Sequence, residues 1–523
     1  MLDAEPGRRV LVIGLDCAEP TLVFEQWRAD LPTLDRLLSR GVYGRLRSSD
    51  PPITVPAWAS MLSGQDPGQL GFYGFRNRRD YSYEGMTIAS GASVKVDLVW
   101  DVIGRHGKRS LVIGVPQTYP VRPMQGWLVS CFLTPPGAEK FTWPPELKDE
   151  INQALDGAAY EVDVHNFRTD NKVQLLADLY RMTNKRFKVL NHLMQKSWDF
   201  CMVVEMGTDR IHHGFWAFMD PRHRRYTPGN PFENAIKDYY RHVDHLIGET
   251  LAQVDDDTLV MVVSDHGARP MMGAFCINEW LIEQGLLVLK EYPSAQVPLE
   301  KCEVDWSRTK AWGSGGYYAR VHFNVAGREP QGVIPQSAYN AFVDEMIQRL
   351  EATTDHAGRL LGTRAVAPAR IYRQTTNIPP DLMVYFGDLS WRALGSVGGG
   401  KVHSFENDTG PDDANHDWHG IFIAFDPRRD LGGQVIEPLQ LQQIAPTILA
   451  ALAIPAPPTM AAPAIQFMNI FRKEQCLKKD LHCGSPAFRA RARRPSLIEF
   501  TTNSRNGVAS RLKSWTATSC ART

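Results

Sequence analysis

The stretch Thr258–Gly267, "TLVMVVSDHG", sets five consecutive apolar residues almost directly against a carboxylate and an imidazole, Asp265 and His266. A short, unbroken apolar run suits a strand buried on both faces, as in a parallel sheet covered by helices. The polar pair then falls at the carboxyl edge of that sheet, where open α/β folds gather their ligands.

Working outward, Val10–Leu15 is a second such run and ends in Asp16; Phe200–Glu205 is a third and leads into "MGTDRIHHGFW". Ser110–Val115 and Gly420–Phe425 read as further strands. Helical periods fill the gaps: Leu31–Arg40 (stopped by Gly41), Ala57–Leu62, Val99–Arg105, Leu175–Gln195, Ala235–Val254 and a closing Leu439–Leu452. This alternation predicts an α/β fold with a mostly parallel central sheet flanked by helices. From Asn278 to Arg370 the texture changes. Ala311–Pro335 alternates and turns like antiparallel strands, and Ser337–Ala352 is helical, which reads as an inserted α+β cap. Residues 1–277 and 371–471 are therefore expected to form the core, resuming at Pro380–Phe386, with 278–370 as the cap. The basic, polar stretch 472–523 reads as a disordered tail.

Lys plus Arg and Asp plus Glu balance at 58 each over 523 residues, so no overall basic excess points to nucleic acid or an anionic membrane. Eight cysteines form no CxxC pair and no regular framework, as expected of reduced thiols. The first apolar run is too short for a signal peptide or a membrane span, so a cytoplasmic protein without a transmembrane segment is expected. Nothing in the composition fixes an oligomeric state.

The polar residues at the strand ends carry the chemistry. Asp16 follows the first strand. Asp209 and His213 stand four apart, so a helical turn projects both from one face. Asp265 and His266 end a strand, and His416 precedes one. Three carboxylates and three imidazoles make a mixed oxygen and nitrogen set suited to two divalent ions of the zinc type. Two ions about 4 Å apart can hold the attacking and leaving oxygens of a phosphoryl transfer. Two positions have rivals: His419 for His416, and His212 for His213, the latter preferred for its helical spacing from Asp209. Thr54, in "PPITVPAWAS" (Pro51–Ser60), is either the cap of the following helix or a nucleophile.

Five segments, "VLVIGLDCAEPT", "PPITVPAWASMLSGQDPGQLGF", "GTDRIHHGFW", "SDHG" and "NHDWHGIFIA", occur in an order that resembles the type I phosphodiesterase/nucleotide pyrophosphatase family of the alkaline phosphatase superfamily. "AGREPQGVI" and "IAPTILAAL" resemble its bacterial branch, and the likeness covers roughly residues 8–470. The resemblance implies an alkaline phosphatase-like core. It implies one metal on Asp209, His213 and His416, and a second on Asp16, Asp265, His266 and Thr54. Zinc is the first choice, with manganese or iron as alternatives. It makes Thr54 the nucleophile and a phosphothreonine the intermediate. His416 is preferred to His419 because the bacterial pattern places a glycine four residues after the liganding His, and Gly420 fits.

Nucleotide-cleaving members of the family hold a phosphate oxygen on an Asn a little beyond the nucleophile. Lining up "GFYGFRNR" puts Phe75 there, with Asn77 two along. Asn77, or Arg76 or Arg78 through a bidentate fork, is then the candidate phosphate ligand. The expected activity is hydrolysis of a small-molecule phosphodiester or nucleotide-like substrate. Two alternatives stand beside it: a phosphomonoesterase or other phosphoryl-transfer enzyme using the same site, and a non-catalytic metal-binding interaction protein. A sulfatase would place Cys or Ser in a Cys/Ser-x-Pro-x-Arg context, which Thr54 and its neighbours lack.

Overall fold

The structure, a computed structural model, describes residues 8–467; the expected tail at 472–523 lies outside the described residues. The main sheet has ten strands. Seven of them position the site: β1 (Arg9–Leu15), β2 (Val42–Arg47), β3 (Ser110–Ile113), β4 (Gly126–Val129), β5 (Phe200–Glu205), β6 (Thr258–Val263) and β7 (His419–Phe425). β6, β1, β5, β3 and β4 lie side by side and parallel, and β7 and then β2 extend the β6 edge in antiparallel pairing.

Helices α1 (Pro32–Arg40), α3 (Lys172–Leu193), α4 (Gly207–Met219) and α5 (Ala235–Leu251) cover one face, and α2 (Thr54–Ser63) and α6 (Ile444–Ala451) the other. Strand β1 explains why its run has no polar alternation. Leu11, Ile13 and Leu15 enter the core under the first helix layer, while Val10 and Val12 are equally buried on the opposite face. Each such side chain contributes about 1.5–3 kcal/mol by leaving water. Asp16 is thereby fixed at the carboxyl end of a strand that has no freedom to slip register.

A second sheet, of four antiparallel strands, contains the hairpin Ala311–Ser314 and Ala319–Phe323 followed by Leu382–Tyr385 and Arg364–Val366. The helix Tyr339–Glu351 packs Phe342, Val343, Met346 and Leu350 onto it. Here the sequence reading needs correcting. Leu382–Tyr385 was expected where the core resumes, yet it pairs with Ala319–Val321 in this second sheet. A four-residue apolar run is compatible with either sheet, and its apolar partners lie in the insert. Among the described residues no helix is long and apolar enough to cross a membrane.

Candidate metal centre

Three chain segments converge where β1, β5 and β6 end. The turn from β5 into α4 is held by Glu205, whose Oε1 accepts the Gly207 N–H at 2.7 Å and the Tyr239 hydroxyl at 3.2 Å. A side chain at position 207 would put its Cβ 1.7 Å from that hydroxyl, so glycine is required there. The Thr208 hydroxyl donates to the Asp16 carbonyl at 2.6 Å and ties the start of α4 to the end of β1. Asp209 and His213 consequently face Asp16. The short strand Gly267–Pro270 pairs antiparallel with Ala414–Asp417, in register Ala268 to His416, which brings the late histidine alongside His266. The two imidazoles stack at 3.8 Å.

All six sequence-selected ligands are buried at 1% exposure or less. The groups Asp209, His213, His416 and Asp16, Asp209, His266 each bring one ligand atom per residue within 4.8 Å of the others. Asp265 joins through Oδ2, 3.1 Å from His266 Nε2. Oδ1 of Asp16, Oδ1 of Asp209 and Oδ2 of Asp265 are buried and make no hydrogen bond among the described residues. Uncompensated carboxylate oxygens are costly away from water, and several aimed at one space with imidazole nitrogens beside them fit divalent cations. The donor set therefore suits the metals that the sequence implied.

The other ring nitrogen of each histidine is engaged, which fixes its orientation. His266 Nδ1 contacts the Gly267 carbonyl at 3.1 Å, His416 Nδ1 the Pro52 carbonyl at 2.8 Å, and His213 Nδ1 the Asp412 carboxylate at 2.7 Å. Burial pushes His266 down to about 4 and lowers His416 as well. For His213, burial is outweighed by Asp412 and Asp209, which hold it up at about 9. Burial raises the carboxyls of Asp16 and Asp265 well above the usual range, reinforced for Asp16 by Asp209 and for Asp265 by Asp16 and Asp209. Against its own burial, Asp209 is held low by His213 and Arg210.

Thr54 is the first residue of α2, with Ile53 in the capping position and no side-chain cap. It is therefore not the helix cap that the sequence allowed. Its Oγ1 lies 3.3 Å from His266 Nε2 and it is 3% exposed. Helix starts leave N–H groups unpaired. Those of Thr54 and Val55 have no partner among the described residues, while Pro56 has none to offer. One turn on, Trp58 donates to Asp16 Oδ2 at 2.6 Å, and Gly14 leaves the room for its indole, since a Cβ there would sit 2.5 Å from the ring.

The rivals separate cleanly. His212 points away, with Nε2 3.1 Å from the Tyr240 hydroxyl. His419 sits at the partly exposed start of β7, paired across to Arg47. The candidate phosphate ligands are differently employed. Asn77 accepts the Tyr73 N–H at 2.7 Å and donates to the Gly74 carbonyl at 3.0 Å, closing its own turn. Arg76 is exposed, and Arg78 is buried in an ion pair with Glu329 at 3.1 Å. Phe75 is half-buried, edge-on to Phe132.

Residues 10–420 match the family described as type I phosphodiesterase / nucleotide pyrophosphatase. The chain belongs to that family. It is accordingly a hydrolase of phosphoric ester bonds. No curated protein matches it in sequence. Among solved structures it is similar to phosphonoacetate hydrolase from Sinorhizobium meliloti 1021 in complex with phosphonoformate (15% identity, TM-score 0.52, 87% of this chain and 98% of that one). It is also similar to murine ectonucleotide pyrophosphatase / phosphodiesterase 5 (12% identity, TM-score 0.49, 88% and 99%). At such identities the likeness to phosphonoacetate hydrolase shows a shared fold.

Sequence reasoning missed Arg168, Tyr317 and Asp412. Arg168 donates to Asp412 at 2.9 Å and to the Tyr317 hydroxyl at 2.6 Å, and Tyr317 lies against His213 and His416. Of these, only Asp412, three residues before Asn415-His416, carried a signal: an acidic pair beside a candidate ligand.

Proposed function

We propose that this protein cleaves a phosphodiester or pyrophosphate bond of a small, nucleotide-like substrate through a phosphothreonine on Thr54. The observation that carries the reading is the Thr54 hydroxyl at the start of α2, 3.3 Å from His266 and bordering a pocket of donorless carboxylate oxygens. Asp209, His213 and His416 would hold one divalent ion, and Asp16, Asp265, His266 and Thr54 a second, with zinc favoured over manganese or iron. When bound, such ions lower the pKa of the Thr54 hydroxyl and draw off charge from the departing oxygen.

The chain's own residues do the rest. Thr54 Oγ1 attacks phosphorus in line, the bond to the leaving oxygen breaks, and the phosphoryl group stays on Thr54. The free N–H groups of Thr54 and Val55 point from a helix start, a favourable place for an anionic phosphoryl oxygen. Water then attacks the same phosphorus from the vacated side, releasing phosphate or a phosphomonoester and restoring Thr54. Trp58 holds Asp16 in place, and Asp412 holds His213.

Thr54→Ala is expected to cut turnover at least about a thousandfold while leaving metal content largely intact, since Asp16, Asp265 and His266 remain. Equal activity in that variant would overturn the mechanism. A phosphomonoesterase using the same residues is the second reading, favoured by Asn77, the candidate phosphate ligand of nucleotide-cleaving members, being engaged in closing its own turn. A parallel assay of chromogenic phosphomonoester and phosphodiester, across several divalent metals, decides between them. Fewer than one ion per chain and no hydrolysis would instead favour a non-catalytic binding protein.

A further inference from the structure

Tyr317 belongs to the insert but stands in the metal centre of the core. The chain reaches it through "GSGGYY", where Gly316 (φ 140°) exchanges two 2.9 Å backbone hydrogen bonds with Ala393. The Asn415 side chain donates to the Tyr317 carbonyl at 3.1 Å, tying it to the strand that carries His416. The ring stacks on His213 at 5.0 Å and 14°, and lies 4.3 Å from His416. Its hydroxyl is 3.2 Å from His213 Nε2, the nitrogen that also faces Asp209. So much anchoring, from three segments, places one phenol oxygen beside the reacting centre.

The hydroxyl oxygen accepts from Arg168 at 2.6 Å. An acceptor so engaged makes the O–H a stronger donor. Its own proton has only long contacts, with His213 Nε2 at 3.2 Å and Asp412 Oδ2 at 3.3 Å, and the residue is half-buried. The candidate phosphate ligands read from the sequence are placed otherwise: Asn77 and Arg78 are engaged with partners of their own and Arg76 is exposed.

We propose that Tyr317, polarised by Arg168, donates a hydrogen bond to a non-bridging oxygen of the phosphoryl group under transfer. The insert thereby contributes directly to the reacting centre. This rests on the phosphoryl-transfer reading above.

The test is Tyr317→Phe in the full chain, which keeps the stacked ring and deletes one oxygen. Losing one such donor costs about a hundredfold in kcat. The expected result is a loss of that order in kcat with metal per chain and melting temperature unchanged, and a parallel loss of affinity for orthovanadate by calorimetry. Arg168→Gln should show a smaller loss in the same two readouts. Unchanged kcat and vanadate affinity in Tyr317→Phe would overturn the proposal. So would loss of metal in step with activity, which would mark the hydroxyl as structural. If the wild-type protein hydrolyses no phosphoester, the phosphoryl-transfer reading falls by itself, and vanadate affinity still judges Tyr317.

Discussion

The two halves of the candidate metal centre are built from the same residue types but held differently. In the strand half, Asp16, Asp265 and His266 sit at the ends of β1 and β6, and His266 leans on a backbone carbonyl. In the helix half, Asp209 and His213 lie on α4, and His213 leans on the carboxylate of Asp412. Backbone cannot be titrated or mutated away, so the rings of His266 and of His416, on the Pro52 carbonyl, are set by the fold. The ring of His213 depends on one side chain 199 positions distant. The contrast makes the helix half the adjustable one, in basicity and in metal affinity.

The largest break in the comparison should come from Asp209, the residue common to both ligand groups. Asp209→Asn removes a ligand charge from each half and leaves Arg210, 90% or more buried, paired with Asp163 alone at 2.7 Å. Breaking a buried pair costs about 3–5 kcal/mol. Elemental analysis should find less than one ion per chain and assays no turnover; two retained ions would refute a shared role. Asp412→Asn is milder and one-sided. Outer-shell partners are worth about 10–100-fold in metal affinity. Only one of the two ions should weaken by that factor in a metal titration, and weakening of both would erase the distinction between halves.

Protonation sharpens the same contrast. Against its burial, His213 is held at about 9, above its ordinary 6.5, by Asp412 and Asp209. Metal binding needs its Nε2 free, so uptake at the helix half releases a proton below pH 9, and apparent affinity rises about tenfold per pH unit until then. In the metal-free protein the raised value contributes stability that is present below pH 6.5 and lost as pH rises through about 9. His266, pushed down to about 4 by burial, releases no proton near neutrality. Calorimetry at pH 8 in buffers of different ionisation enthalpy should therefore count about one proton fewer for Asp412→Asn than for wild type. An equal count would remove the assignment to His213.

The strand half was legible in the sequence because its signals are local. An apolar run ending in an acid is a buried strand with a charged tip, and Asp16 and Asp265 both fit. Asp209 and His213 were legible for a similar reason, since spacing by four puts them on one helical face. Asp412, Tyr317 and Arg168 were not, because their contacts join segments 95 to 244 residues apart and no periodicity marks them. Asn77 is the opposite case. Its partners are only three and four residues away, and a side chain that closes its own turn looks, in sequence, like one free to bind a substrate.

The smallest effect separates the two late histidines. His416 is 1% exposed and contributes to the helix half, while His419, three residues on, opens β7 beside the Arg47 backbone and is partly exposed. Its imidazole is lowered by burial and by Arg47, and it belongs to neither ligand group. His419→Gln should therefore stay within about 0.5 kcal/mol of wild type in stability, as a surface change does, with metal content and turnover unchanged. His416→Gln, by contrast, should lose the helix-half ion and leave the Pro52 carbonyl without its ring partner. Because Pro52 lies two residues before Thr54, that variant should also slow turnover beyond what metal loss explains once excess metal is added back. If His419→Gln instead releases an ion, the late ligand lies on β7 itself, and the division of the centre into a strand half and a helix half no longer describes how it is held.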